Sequence, residues 1–174
     1  RVSQHFELEN QPATLQKASV FFSEMTEARY RRVWTPITER TLLIEDATGR
    51  NWRVDELSRG TREQLFLSLR LAIVRRNAER GLHLPLVLDD VLVNFDSQRA
   101  LAACRTLQAF AEEPYQALLL TCHDHIARLC ADLSIPVVSL NGSSGEVARQ
   151  VFFPAAAPAV MSTEEPEAPT VTGT

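Results

Sequence analysis

The chain has 174 residues, and 45% of them are hydrophobic, which suffices for one globular domain with a buried core. Its formal net charge of −4 argues against a strongly basic nucleic-acid-binding domain. The three cysteines do not have the spacing of a disulfide framework and indicate free thiols in a reducing compartment. Without a secretory signal or an apolar run of about eighteen residues, the sequence predicts a soluble cytoplasmic protein with no membrane partner.

The sequence contains no phosphate-binding loop of the G-x-x-x-x-G-K-[ST] type. That loop needs a lysine to reach the β- and γ-phosphates of a nucleotide. The only lysine is Lys17, and no glycine lies near it. Either the chain is the C-terminal part of a longer protein, or it does not bind nucleotide by this route. The first residue, Arg1, is not methionine, and this favours the first alternative.

A leading helix is predicted over residues 12–33. Its apolar residues recur at intervals of three and four and would form one stripe: Leu15, Ala18, Phe22 and Met25. Pro12 suits the first turn of such a helix. Two interpretations are open, a helix that packs on the domain or the returning end of a coiled-coil arm. The second would make residues 1–35 a separate arm segment.

A β-hairpin follows the break at Pro36. Residues 41–45 and 51–54 are β-prone runs, and the five residues between them include Gly49, which suits the turn. After the hairpin, residues 61–80 have helical periodicity with one apolar face and end at Gly81. The predicted apolar face has four members: Leu65, Leu69, Ala72 and Ile73. Thr61 and Gln64 fit a capping box at the start of this helix.

The second half of the chain alternates strands and helices. Residues 84–88 form an apolar run predicted to be a strand buried on both faces. Further strands are predicted over 116–121 and 135–140, and helices over 97–112 and 124–132. This alternation predicts an α/β fold of parallel strands with flanking helices.

The end of the chain differs in composition from what precedes it. We expect a turn over residues 142–145 and a last edge strand over 147–153. Residues 154–174 hold few large apolar side chains and predict a disordered tail. Residues 36–153 are therefore the predicted globular lobe.

Candidate site residues lie where ligands bind in such folds, at the carboxyl ends of strands and at a helix start. Ser58 and Gly60 precede a helix whose free N–H groups attract phosphate, although any capped helix shares this property. Asp89 and Asp90 follow an apolar strand, where adjacent carboxylates are costly without a cation. The first is a candidate ligand for Mg²⁺, and the second would orient or deprotonate a water molecule.

His123 follows the next strand, where its imidazole could contact a phosphate. A lone histidine is more often structural, and one of its two following residues could simply cap the next helix. A zinc site is an alternative interpretation of four residues in this segment: Cys122, His123, His125 and Cys130. Their spacing does not match structural zinc sites, and Cys122 is expected to be a buried core thiol.

Taken in order, these motifs resemble a known family. The segments ELSRGTREQLFLSLRLA, LPLVLDDVLVNFDSQRA and LLLTCHDHIA are similar to the C-terminal lobe of ABC-type ATPase heads. Within that class they resemble the SMC-like group with coiled-coil arms, and in particular YhaN-like bacterial proteins. The resemblance covers residues 12–140.

The resemblance implies a role for each motif. Residues 57–61 match the signature motif, whose Ser58 and Gly60 would contact ATP held by the opposite head. Asp89 matches the metal-associated carboxylate that serves Mg²⁺, and Asp90 the catalytic carboxylate. The remaining matches are the D-loop and the switch histidine, with these residues: Asn94, Asp96 and His123.

Three positions depart from the family pattern, and one of them is Thr61, which replaces the glutamine or glutamate that is usual in the signature motif. Arg59 stands where glycine is common in the signature motif, and it would add positive charge near the phosphate. Asp90 stands where glutamate is usual, and its shorter side chain predicts slower hydrolysis.

The resemblance implies an ATPase whose two heads trap ATP between them. The implied partners are the protein's own N-terminal P-loop lobe, a second head, DNA and a nuclease subunit, in DNA repair or chromosome maintenance. The chain alone would be inactive, because the lysine of the P-loop is absent. Two alternatives stay open: an ATP-dependent dimerisation module without efficient hydrolysis, and the nucleotide-binding domain of a transporter.

Overall fold

The computed structural model describes residues 12–36, 41–111, 115–141 and 147–153. The first half contains a helix, three strands, a 3₁₀ turn and a long helix: α1 (Ala13–Met25), β1 (Tyr30–Trp34), β2 (Leu43–Asp46), β3 (Asn51–Arg53), Val54–Glu56 and α2 (Arg59–Ala78). The second half contains four strands and two helices: β4 (Leu86–Asp89), α3 (Ser97–Ala111), β5 (Ala117–Thr121), α4 (Asp124–Asp132), β6 (Val137–Asn141) and β7 (Val147–Phe153). The turn predicted over 142–145 and the tail predicted over 154–174 lie outside the described residues.

Helix α1 is shorter than the sequence pattern predicted. It ends at Met25, and the next residues turn the chain, with positive φ values of 52° at Glu27 and 60° at Ala28. Residues 30–34 then form β1, so the helix predicted over 12–33 is wrong in its second half. Their aromatic and β-branched side chains fit a strand that pairs with β2, and helical periodicity does not register that pairing.

The stripe on α1 packs into the domain. Ala18, Phe21 and Met25 belong to the main hydrophobic cluster, and Phe22 belongs to a second cluster beside the small sheet. The interpretation of α1 as a helix packed on the domain is therefore confirmed over its described length. A coiled-coil arm at residues 1–35 stays a prediction.

The predicted hairpin is confirmed and forms part of a three-stranded antiparallel sheet with the order β1-β2-β3. Gly49 in its turn has a φ of +85°, a conformation that suits glycine. The Asp46 carboxylate holds this turn. Its Oδ1 accepts hydrogen bonds from the Thr48 amide at 2.8 Å and the Arg50 amide at 3.1 Å, and its Oδ2 accepts one from Trp52 Nε1 at 2.8 Å.

Both tryptophans of the chain lie in this small sheet. The Arg50 guanidinium stacks over the Trp52 ring at 3.8 Å from its centroid. Trp34 Nε1 donates a hydrogen bond to Asn51 Oδ1 at 3.0 Å. Each indole is thus held by a polar partner on a neighbouring part of the sheet.

The Asp46 bonds predict a pH-dependent contribution to stability. Hydrogen bonds from Thr48 and Trp52 lower the pKa of Asp46 far below its usual range. A carboxyl group whose pKa is lowered by folding stabilises the native state above its unfolded pKa, about 3.9. That contribution is lost as the pH falls through the lower folded value. We therefore expect the stability difference between wild type and Asp46→Asn to shrink below about pH 4, in denaturant titrations at stepped pH. A difference that stays constant down to acid pH would contradict this role.

The second sheet has the strand order β4-β5-β7-β6. Strands β4 and β5 are parallel, as predicted, with Leu86 beside Ala117 and Asp89 beside Leu120. The last strand, β7, was predicted to be an edge strand, and this is wrong. It lies between β5 and β6 and is antiparallel to both, so that β6 runs in the same direction as β5. Strand order depends on long-range pairing, which periodicity does not encode.

Strand β4 is covered on one face only. Leu86 and Leu88 are buried in the main cluster, whereas Val87 is 57% exposed. The prediction of a strand buried on both faces is therefore wrong for the described residues. Asp89 follows the same alternation and is exposed with Val87. The strand presents an apolar residue and a carboxylate on its open face.

Helix α2 joins the two hydrophobic clusters. Leu65 packs in the cluster beside the small sheet, and Leu71 packs in the main one. The buried Gln64 side chain donates a hydrogen bond to the Met25 carbonyl at 2.7 Å, which ties α2 to the end of α1. Ile73, predicted on the buried face, is 50% exposed, because the core-facing stripe follows Leu67 and Leu71 instead.

Within the part of the chain that the structure describes, no helix combines the length and the apolar character that crossing a bilayer requires.

Candidate functional site

The acidic pair lies at the carboxyl end of the parallel strands. Asp89 is the last residue of β4, and the Asp90 amide donates a hydrogen bond to the Leu120 carbonyl of β5 at 3.0 Å. This bond extends the pairing one residue past β4 and fixes where the Asp90 side chain emerges. His123 lies two residues beyond the end of β5. The parallel pairing therefore brings the predicted acid pair and the predicted histidine to one edge of the sheet.

Asp90 has an unusual backbone and a crowded carboxylate. Its φ is +46°, a region that aspartate and asparagine tolerate better than most residues. Oδ2 accepts a hydrogen bond from the Cys122 thiol at 3.4 Å. Oδ1 is buried, and no donor among the described residues reaches it with hydrogen-bonding geometry.

The surroundings of Asp90 favour its ionised form. Burial opposes ionisation, but the Cys122 thiol, the Thr121 hydroxyl, the Cys122 amide and the charge of His123 together outweigh it and lower the pKa of Asp90. The carboxylate is consequently available as a proton acceptor near neutral pH. A lowered pKa also makes it a weak base.

His123 is held at the start of α4. Its amide donates a hydrogen bond to the Thr121 hydroxyl at 3.1 Å, and its carbonyl accepts bonds from Ile126 and Ala127 in the first turn of the helix. Its imidazole makes no capping bond, so the ring is not used to start the helix. His123 Nδ1 or Nε2, Cys122 Sγ and an Asp90 carboxylate oxygen all lie within 4.8 Å of one another.

The loop between β4 and α3 contains the predicted D-loop. Two buried side chains, Leu92 and Phe95, anchor it in the main hydrophobic cluster. Asn94 and Asp96 lie beside these anchors and are exposed. The Asp96 carboxylate accepts a hydrogen bond from the Arg99 amide at 2.9 Å and so caps α3.

Helix α2 begins two residues earlier than predicted. Ser58 is its N-cap residue, and the Ser58 Oγ accepts a hydrogen bond from the Thr61 amide at 3.3 Å. The capping box predicted at Thr61 and Gln64 is therefore wrong, because both residues lie inside the helix and both are buried. Ser58 is exposed, as a residue that meets a ligand would have to be.

One hydrogen bond and one packing contact join the start of α2 to the D-loop. Glu63 Oε1 accepts hydrogen bonds from Asn94 Nδ2 at 2.9 Å and from Arg59 Nε at 3.2 Å. Arg99 packs over Gly60, where a Cβ atom would lie 3.2 Å from Arg99 Nη1, and the same Nη1 forms an ion pair with Asp96 at 2.8 Å. The signature segment and the D-loop are thus one connected surface.

The predicted residues therefore fall into two adjoining groups. Asp90 and His123 form a strand-end group, and Asp89 lies beside it on the open face of β4. Ser58, Arg59 and Gly60 form a helix-start group with the D-loop residues Asn94 and Asp96. The loop of residues 90–96 links the two groups directly.

Sequence reasoning missed two residues of this surface. Cys122 was predicted to be a core thiol, but it is exposed beside Asp90, because β5 ends one residue before it. The buried thiols are Cys104 and Cys130, whose sulfur atoms lie 3.8 Å apart. Arg99 also escaped notice, although its position three residues after Asp96 was a usable signal of an ion pair on a helix.

Comparisons with known proteins agree with this architecture. No family model matches the chain. The protein YhaN of Bacillus subtilis (strain 168) is 34% identical over 116 residues, which make up 66% of this chain and 12% of YhaN. An SMC ATPase studied for its ATP-driven dimerization and DNA-stimulated activation superimposes with a TM-score of 0.57 at 15% identity, covering 80% of this chain and 83% of that one. The SMC head domain from Thermotoga maritima gives a TM-score of 0.52 at 16% identity, over 86% of this chain and 50% of that one.

The chain has the α/β fold of SMC ATPase head domains. The resemblance to the SMC-like group, and within it to YhaN, is confirmed. At these identities the SMC structures establish the fold. Because the chain spans only 12% of YhaN, the activity and partners of the whole protein are proposals.

Proposed function

We propose that this SMC-type lobe is half of an ATP-hydrolysing head that works at an interface between two heads. The observation that carries the proposal is the continuous surface from the strand-end group, through the loop of residues 90–96, to the start of α2. An exposed serine at a helix start and a carboxylate at a strand end are suited to the γ-phosphates of two nucleotides, the first held by the opposite head and the second by this head. They require a phosphate cradle from another lobe, since the chain contains no P-loop.

Each strand-end residue has a role in the proposal. The exposed Asp89 carboxylate offers hard oxygen ligands and fits Mg²⁺, which would neutralise phosphate charge when it is bound. Asp90 accepts a proton from the attacking water, and its φ and its bond to Leu120 fix its position. His123, whose ring is not used for capping, donates a hydrogen bond to the γ-phosphate.

The helix-start group would serve the nucleotide of the opposite head. The first N–H groups of α2 and the Ser58 hydroxyl would bind an anion, and the helix dipole favours negative charge there. Arg59 is tied to Glu63, so its charge is partly neutralised. This reduces its proposed contribution to phosphate binding. Asn94 and Asp96 belong to the same surface and would lie at the contact between heads.

The proposed partner within the same head is the N-terminal P-loop lobe. The open face of β4, with Val87 57% exposed, supplies an apolar surface for it. DNA, a nuclease subunit and a role in DNA repair in the cytoplasm are proposed from the family resemblance. The net charge of −4 gives DNA binding no separate support.

A second candidate, ATP-dependent dimerisation without efficient hydrolysis, is favoured by one feature. Asp90 is one methylene shorter than the glutamate that such sites usually carry, and its lowered pKa makes it a weaker base. Turnover measured on the intact protein separates the two candidates. Turnover that depends on Asp90 supports the first, and ATP-dependent association without turnover supports the second.

The helix-start role is tested by a charge change that keeps the cap. Aspartate and asparagine are both good N-cap residues. The free energies of unfolding of Ser58→Asp and Ser58→Asn should therefore each lie within about 0.5 kcal/mol of the wild-type value. Ser58→Asp places a negative charge against the incoming γ-phosphate. We expect it to lose ATP-dependent association of the intact protein, measured by light scattering, whereas Ser58→Asn retains it.

Equal association by Ser58→Asp and Ser58→Asn would contradict phosphate binding at the start of α2. Equal loss in both variants, with unchanged stability, would indicate a contact that needs the serine hydroxyl itself.

A further inference from the structure

Cys122 lies beside the strand-end group, and the proposed ATPase mechanism does not use it. It is exposed, and its sulfur atom lies within 4.8 Å of a candidate ligand atom of Asp90 and of His123. Its thiol donates a hydrogen bond to Asp90 Oδ2 at 3.4 Å. A thiol, an imidazole and a carboxylate in mutual reach form a set of ligands that differs in kind from the all-oxygen set that suits Mg²⁺.

We propose that Asp90, Cys122 and His123 form a binding site for a thiophilic divalent cation, with Zn²⁺ the best fit. Three protein ligands of this kind, with water in the fourth position, are an arrangement that zinc adopts in open sites. The proposal concerns a ligand other than ATP and does not depend on the ATPase activity.

The geometry requires only small movements. One candidate ligand atom from each residue lies within 4.8 Å of the other two. Bonds to zinc of about 2.0–2.3 Å place ligand atoms of a tetrahedral site somewhat closer together than that. The Cys122 and His123 side chains can close this gap by rotation, since Cys122 is exposed and His123 is half-buried.

The chemistry of the three side chains also fits. On binding, the Cys122 thiol would release its proton to solvent and coordinate as thiolate, replacing its hydrogen bond to Asp90 with a shared metal ion. The buried Asp90 Oδ1, which no described donor reaches, would gain an electrostatic partner nearby.

Occupation of this site would take Asp90 and His123 away from the water and the phosphate. Zn²⁺ would therefore inhibit hydrolysis, because it would hold the two side chains that the reaction needs. Mg²⁺ prefers oxygen ligands and would not displace Zn²⁺ readily. Cys122 thereby gives this head a sensitivity to thiophilic metals.

The test uses Co²⁺ as a spectroscopic substitute for zinc on the intact protein without nucleotide, in excess Mg²⁺. We expect a thiolate-to-metal charge-transfer band in wild type that is absent in Cys122→Ser. His123→Ala should weaken Co²⁺ binding by at least about 100-fold, since loss of an outer-shell partner alone costs 10- to 100-fold. His125→Ala is the matched control and should bind like wild type. His125 is exposed in the first turn of α4, with its ring centroid 5.6 Å from that of His123, and it is not a member of the cluster.

A band of equal strength in Cys122→Ser, or no band in wild type at saturating Co²⁺, would overturn the proposal. Equal weakening by His123→Ala and His125→Ala would also overturn it. Failure of the ATPase proposal would appear differently, as absent ATP turnover in a protein that still shows the cobalt band. Normal turnover without the band would overturn the metal site alone.

Discussion

Replacing Asp90 by asparagine in the intact protein is expected to lower ATP turnover by roughly 100- to 10,000-fold, the usual contribution of a general base. Asparagine keeps the size of the side chain and tolerates the positive φ of 46° at this position, so the fold should be retained. It lacks the negative charge that accepts the proton. ATP-dependent association should persist, because the helix start that contacts the opposite nucleotide is unchanged. Turnover is measured by phosphate release, and association by light scattering.

Asp132→Asn is the matched control for this change. Asp132 is an exposed carboxylate at the end of α4, away from the strand-end group, and its replacement should leave turnover within about twofold of wild type. If Asp90→Asn turns over ATP as fast as Asp132→Asn, Asp90 is not the base. If wild type itself shows association but no turnover, the dimerisation module is the better description.

Truncation of Phe22 to alanine is expected to produce the largest loss of stability, about 3–5 kcal/mol. Phe22 is fully buried and stacks on Tyr30 with ring centroids 5.4 Å apart, between α1, the small sheet and α2. Removing the ring leaves a cavity that three elements would have to close together. The measurement is the free energy of unfolding from a denaturant titration.

Val20 on the same helix supplies the control. Its side chain is 55% exposed, so Val20→Ala should change the free energy of unfolding by no more than about 0.5 kcal/mol. A loss of less than about 1 kcal/mol for Phe22→Ala would mean that α1 does not pack on the domain as described.

The sequence predicted the strand-end residues because they follow directly from local pattern. The apolar runs before Asp89 and before His123 identify two strands, and parallel pairing places the ends of both at one edge of the sheet. The end of α1 was not predictable in the same way. Thr26, Glu27 and Ala28 carry no glycine or proline to mark the reversal, which depends on the pairing of β1 with β2.

Cys122 shows the limit of pattern reasoning within the site. Cys122 follows the apolar run of residues 117–120 after a single threonine, which is the context of a core residue, and only the exact end of β5 at Thr121 makes it exposed. Likewise, the insertion of β7 beside β5 involves residues separated by about thirty positions in the chain. Both features depend on which strands pair with each other and where the pairing ends. Hydrophobic periodicity within one segment does not predict its pairing partner.

The location of both tryptophans in the small sheet has a practical consequence for spectroscopy of this chain. Its ultraviolet emission originates far from the strand-end group along the sequence and reports the environment of Trp34 and Trp52. Emission changes during unfolding would follow the loss of the Arg50 and Asn51 partners of these indoles. An extrinsic dye or a new indole near the loop of residues 90–96 would report that region directly.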